Sequence, residues 1–256
     1  MNILFTICGR AGSKGLKNKN LKQMGSVPLI YYTLAAIRLY MEKNREDCIT
    51  VALNTDSKDL QELVRKQKIL KDVEIVQRKP ELADDVTAKV EVIKDTYLSL
   101  LSKSAFDVVI DLDLTSPLRR VIDIENAVGE YLRNPAFDLV FSVVAGRRSP
   151  YFNMVEKKAS GFYGKICKSK FTARQQAPKA YELNASIYAF RPAFLESDIQ
   201  KTILDYRCGI SLMPDFLVLD IDSEEDFIAM EYLIPYFCQR DEGLSEIVHY
   251  AQLDFE

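Results

Sequence analysis

The stretch Ile3-Leu4-Phe5-Thr6-Ile7-Cys8-Gly9-Arg10-Ala11-Gly12-Ser13-Lys14-Gly15-Leu16-Lys17-Asn18-Lys19-Asn20 decides how the rest of the sequence is read. Its first six residues form a short apolar run that reads as a buried β-strand. Three glycines follow at three-residue spacing, with four cations between Arg10 and Lys19. Glycine lets a backbone bend sharply and approach a ligand closely. Successive N–H groups of such a loop can form an anion-binding concavity, and the cations neutralise a dense negative charge. The chemistry suits phosphate, and more than one. The spacing matches neither GxxxxGK[ST] nor GxGxxG, since Gly9, Gly12 and Gly15 give GxxGxxG. A solvated, flexible basic loop also fits these residues.

Outward from this stretch the chain alternates strand and helix patterns. Pro28 at a first helical position, with Ser26 as a nearby cap, opens a helix over Leu29 to Tyr40. Strands are expected over Cys48 to Leu53, Val73 to Val76, Phe106 to Ile110 and Leu139 to Val144. Helices are expected from the caps at 54–57 through about Gln67, over Val86 to Leu101, and over Ile122 to Leu132. This rhythm predicts an α/β fold with a mostly parallel sheet covered by helices. From Ala145 to Leu183 the rhythm breaks into short strands or a hairpin, the pattern of an inserted lid or oligomerisation arm. Strands then return over Ala185 to Phe190 and Phe216 to Ile221, followed by a helix from about Ser223 to Phe237. With no repeat or linker, residues 1–256 read as a single domain with an inserted 145–183 segment and a peripheral tail at 238–256.

Composition narrows the function classes. The 256 residues are 48% hydrophobic, enough for a sizeable core. A net charge of -3 gives no nucleic-acid footprint, so the basic loop is a local feature. Five scattered cysteines without a CxxC indicate neither a zinc site nor a disulfide framework, and reduced cytoplasmic thiols are the default. No signal pattern or membrane-length apolar run is present, so a soluble intracellular protein is expected. The single histidine, His249, lies in the final segment, which argues against a His-based triad.

Further candidate chemistry follows in Leu217-Val218-Leu219-Asp220-Ile221-Asp222-Ser223. On an extended strand, positions i and i+2 share a face, so Asp220 and Asp222 would stand side by side at a strand's carboxyl end. Open α/β sheets bind ligands there. Two carboxylates with room for water and phosphate oxygens suit Mg²⁺. Ser223-Glu224-Glu225-Asp226 also forms a capping box, so Asp222 could merely border a helix start. Asp111-Leu112-Asp113 repeats the pattern and leads into Thr115, Ser116, Pro117 and Arg119; a polar turn fits these residues equally well. Arg174 suits bidentate carboxylate recognition but fits a surface ion pair as well.

Taken in order, Arg10-x-x-Ser13-Lys14-Gly15-Leu16-x-x-Lys19-Asn20, Thr115-Ser116-Pro117-Leu118-Arg119, Arg174-Gln175-x-x-Pro178, Asn184-Ala185-Ser186-Ile187-Tyr188 and Asp220-Ile221-Asp222 resemble the acylneuraminate cytidylyltransferases, the CMP-sialic acid synthetases. The likeness covers residues 1 to about 235. Arg148-x-Pro150-Tyr151-Phe152-Asn153, with Asp111-x-Asp113 and Asn184-Ala185-Ser186, resembles the bacterial branch that activates legionaminic acid. The resemblance implies a Rossmann-like, three-layer α/β/α nucleotidyltransferase that uses CTP and Mg²⁺ and works as a homodimer through 145–183. It implies Arg10 and Lys19 at the triphosphate, supported by Gly12, Ser13, Lys14 and Asn20, with Arg78 beside the cytosine. It implies Asp220 and Asp222 as metal ligands. It also implies Asp113, Thr115, Ser116, Arg174, Gln175 and Asn184 at the sugar. Sialic acid members carry Gln where this chain has Asp113, and Pro where it has Leu114.

The implied reaction is attack by the anomeric hydroxyl of a nine-carbon 2-keto sugar acid on the α-phosphorus of CTP, with pyrophosphate leaving in line. Positioning and charge stabilisation would dominate, with Arg10, Lys19 and Asp220 as the central residues. An Asp carboxylate or a metal-bound water is open as proton acceptor. Alternatives are another sugar or base, as in a Kdo cytidylyltransferase or a guanylyltransferase, and a non-catalytic nucleotide-binding module. No nucleic-acid or membrane partner is expected.

Overall fold

The computed structural model describes residues 1–13, 15–84 and 86–253. In chain order it runs β1 (Asn2–Cys8), a β2–β3 hairpin (Gln23–Met24, Val27–Pro28), α1 (Leu29–Lys43), β4 (Cys48–Thr55), α2 (Lys58–Lys66), β5 (Val73–Gln77), α3 (Lys89–Leu100) and β6 (Val108–Leu112). It continues through α4 (Val121–Arg133), β7 (Leu139–Ala145), a β8–β9 hairpin (Val155–Lys157, Tyr163–Lys165), β10 (Tyr181–Phe190), α5 (Pro192–Glu196), β11 (Cys208–Leu212), α6 (Glu224–Cys238) and α7 (Glu242–Gln252).

Seven strands form one sheet in the order β11-β7-β10-β6-β1-β4-β5. β10 runs antiparallel to both its neighbours, while the other pairings are parallel. Side-chain alternation along β1 divides the core. Ile3, Phe5 and Ile7 face one layer with α1, α4, α6 and α7, while Leu4 faces the other with α3 and α5. The expected three-layer α/β/α architecture is thus present. Six strands deliver their carboxyl ends to one edge of the sheet, and the Gly9–Leu21 loop leaves β1 there. Among the described residues, no helix is long and apolar enough to cross a membrane.

Several sequence expectations are corrected. Phe216 to Ile221 is not a strand: a 3₁₀ turn over Asp215–Val218 follows Pro214. The edge position beside β7 belongs to β11, whose pattern is inverted, with Gly209 and Ser211 inward and Ile210 and Leu212 outward. Gly209 is required under Phe137, because a Cβ there would lie 2.5 Å from the ring. Helix α3 starts at Lys89, and Val86 is exposed ahead of it. Pro28 precedes α1 and closes the β2–β3 hairpin, whose turn holds Ser26 at φ 69°. The 238–256 segment, expected to be peripheral, carries α7, which packs on α1 and places Leu244, Ile247 and Ala251 in the main core.

Local signals read correctly include Ser57, which caps α2 by accepting from Leu60 N–H at 3.2 Å. Ser223 and Asp226 form the expected reciprocal capping box at the start of α6. Such caps are worth about 1 kcal/mol each.

Candidate active site

The glycine loop is shaped by its own polar groups. Ser13 Oγ accepts from Lys19 N–H at 2.9 Å and donates to the Leu16 carbonyl at 2.6 Å. Asn20 Nδ2 donates to the Arg10 carbonyl at 2.9 Å. Gly12 sits at φ 66°, in the left-handed region, and Leu16 anchors the loop in the core. Lys14 lies outside the described residues. Lys19 Nζ approaches Asp222 Oδ1 to 3.1 Å, and Lys22 pairs with Glu224 at 2.7 Å. The loop therefore docks on the segment that enters α6. Gly15 makes the closest approach: a Cβ there would lie 2.6 Å from the Asp222 carbonyl oxygen, an immovable backbone atom. Gly15→Ala should push the loop off the carboxylate pair. We expect kcat/KM to fall about 10- to 100-fold, since small displacements of positioning groups cost that much. Steady-state kinetics beside a thermal melt checks this; unchanged kinetics would mean that the loop's seat on Asp222 is dispensable.

Asp220, half-buried, and Asp222, exposed, flank the buried Ile221 in a segment that is not a strand. Ile221 N–H donates to the Thr115 carbonyl at 3.1 Å, binding this segment to the loop after β6. Asp220 Oδ1 accepts from Ser116 Oγ at 3.2 Å and from Ile221 N–H at 2.9 Å. Burial raises its pKa, and the nearby negative charges of Asp113 and Asp222 raise it further. Among the described residues no set of three or more His, Cys, Asp or Glu side chains could hold a metal. Mg²⁺, however, is commonly held by one or two carboxylates plus substrate phosphates and waters. Two mutually repelling carboxylates, with Asp222 78% open, fit that mode of binding.

Arg10, Lys19, Asn20, Arg78, Asp113 and Thr115, all expected at the site, line one crevice of about 220 Å³. Arg78 is buried and held by the Asn54 side chain at 3.0 Å and the Asn54 carbonyl at 3.2 Å. Burial lowers its pKa. Lys89, also in the wall, was not singled out from the sequence, where it lay inside an expected helix. Its ammonium lies 2.6 Å from Asp111 Oδ2 and donates to Asp113 Oδ2 at 2.7 Å. Asp111 is buried and accepts from Thr6 Oγ1 at 2.9 Å. Asp113 Oδ1 accepts from the N–H and hydroxyl of Thr115, both at 2.9 Å.

Burial alone would raise the Asp113 pKa. The Lys89 charge and hydrogen bond, with the two bonds from Thr115, outweigh it and hold the carboxyl at about 2. With the folded pKa depressed below the ordinary 3.8, Asp113 stabilises the fold fully above about pH 4 and loses that contribution as pH falls toward 2. A ¹³C-carboxyl titration, assigned with Asp113→Asn, should show no Asp113 transition above pH 3. A midpoint near 4 would refute the locked geometry.

The remaining candidates are placed elsewhere. Ser116 and Asn184 are buried. Asn184, expected at the sugar, spends its amide internally, with Oδ1 accepting from Ser142 at 2.6 Å and Nδ2 donating to the Leu217 carbonyl at 3.0 Å. Its inward turn goes with Ala185 at φ 53° and a register shift in β10 between Leu183 and Tyr188. Arg119 is fully buried and acts as a cross-link. It donates to the carbonyls of Asp113 and Ser116, to Ser186 Oγ at 3.1 Å and to Thr33 Oγ1 at 3.1 Å. Arg174 and Gln175 line a separate cavity of about 460 Å³ with Ser149, Lys179, Tyr181 and Leu212. A third cavity, about 250 Å³ and largely apolar, lies between α3, β10 and residues 201–203 and shares Lys89 with the crevice.

With this geometry in view, the comparisons with known proteins are specific. A family model described as cytidylyltransferase matches residues 4–241. The chain is 38% identical to the CMP-N,N'-diacetyllegionaminic acid synthase of Campylobacter jejuni, over 91% of this chain and 94% of that one. It is 36% identical, with the same coverage, to the post-translational flagellin modification protein B of Campylobacter coli. It is 28% identical to an N-acylneuraminate cytidylyltransferase of Streptococcus agalactiae, over 89% of this chain and 52% of that one. Among solved structures, a CMP:2-keto-3-deoxy-manno-octonic acid synthetase complexed with CTP matches in fold with a TM-score of 0.66 at 13% identity, over 93% of this chain and all of that one.

Proposed function

Since the chain belongs to the cytidylyltransferase family, we propose that it joins CMP from CTP to the anomeric hydroxyl of a sialic-acid-type nonulosonic acid, releasing pyrophosphate. The observation that carries this reading is a crevice at the sheet's carboxyl edge. It gathers Arg10, Lys19, Asn20 and Arg78 with Asp113 and Thr115, beside the Asp220–Asp222 pair.

In the reaction the sugar's anomeric oxygen bonds to the α-phosphorus as the α–β bridging bond breaks; the hydroxyl loses its proton and pyrophosphate leaves. Arg10 and Lys19 stabilise the negative charge that grows on the departing pyrophosphate. The loop's backbone, shaped by Ser13 and Asn20, orients the triphosphate, and Arg78 sits at the base. Ser116 aims Asp220, and Asn184 braces the segment from behind. Asp220 and Asp222 would hold a divalent cation, Mg²⁺ by the donor set, which supplies charge neutralisation at the phosphates. Asp113, locked and strongly acidic, is a poor proton acceptor.

The 145–183 segment supports a homodimer. Its hairpin exposes Val155, Phe162 and Tyr163, and the Arg174–Gln175 cavity opens beside the outward Leu212 of β11. A second copy seated there would complete the sugar side of the site. Free thiols and a CTP requirement support the cytoplasm as its compartment.

The test is purified protein with CTP, Mg²⁺ and a panel of nonulosonic acids, read by pyrophosphate release and product mass. CTP should support turnover, GTP should not, and EDTA should abolish it. No release with any acceptor would refute the proposal. Turnover restricted to Kdo would reassign the sugar. Light scattering should give twice the chain's mass.

A further inference from the structure

Asp113 lines the crevice with a carboxylate, which limits what it can read on a ligand. An amide offers a donor and an acceptor; an ionised carboxylate offers acceptors only. The missing donor stands beside it. Lys89 Nζ donates to Asp113 Oδ2 at 2.7 Å and pairs by charge with Asp111 Oδ2 at 2.6 Å, so at least one of its three N–H groups is left over. Lys89 lines the wall of the crevice beside Asp113, and a third of its side chain is open. On Asp113, Thr115 occupies Oδ1 twice, and Oδ2 keeps a free lone pair next to the ammonium. Asp111, buried and tied to Thr6, fixes the ammonium from beneath. Lys89 also forms the common wall of the polar crevice and the apolar cavity lined by Val90, Ile93, Tyr188 and Ile203.

We propose that Lys89 is a specificity-determining residue: with Asp113 it presents an adjacent donor and acceptor that read a secondary amide on the sugar acid, an acylamino group whose alkyl end points to the apolar wall. Lys89 donates to the amide carbonyl, and Asp113 accepts from the amide N–H. A hydroxyl in place of the acylamino group fills one of these bonds and leaves the apolar wall uncovered. The inference rests on the cytidylyltransferase reading and deepens it.

The experiment compares two acceptors with CTP and Mg²⁺: N-acetylneuraminate, and the nonulosonic acid that carries a hydroxyl in place of its acetamido group. The wild-type protein, Lys89→Met and Lys89→Arg are assayed, with thermal melts alongside. Hydrogen bonds to charged groups are worth about 10- to 100-fold in affinity. The wild-type protein should prefer the acylamino sugar. Lys89→Met should raise its KM by about that factor and bring the two acceptors within a few-fold of each other. The KM for CTP should change less than threefold. Lys89→Arg, which keeps a charged donor, should recover part of the preference even if Lys89→Met folds poorly. Preference unchanged in both variants, or lost only in step with CTP binding, would overturn the inference while leaving the cytidylyltransferase reading intact. A wild-type protein inactive with every acceptor would overturn both.

Discussion

Asp220→Asn lowers kcat/KM by about 10³-fold, the kinetic equivalent of about 4 kcal/mol, without unfolding the protein. The substitution keeps the shape of the side chain, and an amide oxygen still accepts from Ser116 Oγ and Ile221 N–H. What it removes is a negative charge placed where Asp113 and Asp222 already crowd the potential. In the resting protein that charge is a burden, so the melt should be unchanged or slightly raised. In the proposed reaction it is half of the donor set facing the phosphates. The signature is therefore a steep loss of pyrophosphate release and of Mg²⁺-dependent CTP binding beside an intact melting transition. Activity within a few-fold of wild type would move the cation elsewhere.

Arg119→Met produces the largest loss of stability. The guanidinium is 0% exposed, yet its direct partners are two carbonyls and two hydroxyls, with no carboxylate among them. Burial lowers its pKa to about 10, and the charges of Asp113, Asp111, Asp123 and Asp220 hold it from falling further. It remains a cation at neutral pH and offsets an acidic cluster from below. Methionine fills much of the volume but leaves the Asp113 and Ser116 carbonyls unpartnered and the carboxylates uncompensated. Removing one side of a buried charge arrangement costs about 3–5 kcal/mol. In a chain of this length, about 2–4 °C of melting temperature follows each kcal/mol, so a drop of about 6–20 °C is expected by calorimetry. Arg119→Lys should recover only part of it, because one ammonium cannot span four acceptors in a planar fork. A drop under 2 °C would mean that the acidic cluster is balanced by Lys89 alone.

The parallel sheet was legible because its strands are continuous apolar runs and its helices carry clear caps, as at Ser57 and Ser223. The Gly9–Asn20 loop, Asp113 and Thr115 stood out in the sequence as polar groups after apolar runs, and Arg78 through the family resemblance alone; the fold brings Arg10, Lys19, Asn20, Arg78, Asp113 and Thr115 to one crevice. β11 was not legible, because it buries Gly209 and Ser211 and turns Ile210 and Leu212 outward, inverting the usual pattern. Lys89 was hidden because a lysine in an expected helix looks solvated; only its fold-mediated meeting with Asp111 and Asp113 gives it meaning. Asn184 carried the right motif but a different placement, since a left-handed Ala185 turns its amide inward. Helix α7 was taken as peripheral because its apolar face meets α1, some 200 residues earlier in the chain, a pairing that no local pattern announces.

The docking of Gly15 and Lys19 on Asp222, and of α7 on α1, sets a timetable for synthesis. The Gly9–Leu21 loop and α1 leave the ribosome about 200 residues ahead of the groups that seat and cover them. A nascent chain halted near residue 215 can build most of the sheet, yet its loop lacks an anchor and α1 lacks its cover. Such a chain should be open to protease and to chaperone capture. Competence is therefore gained in one late step, when α6 and α7 emerge and close over elements made long before.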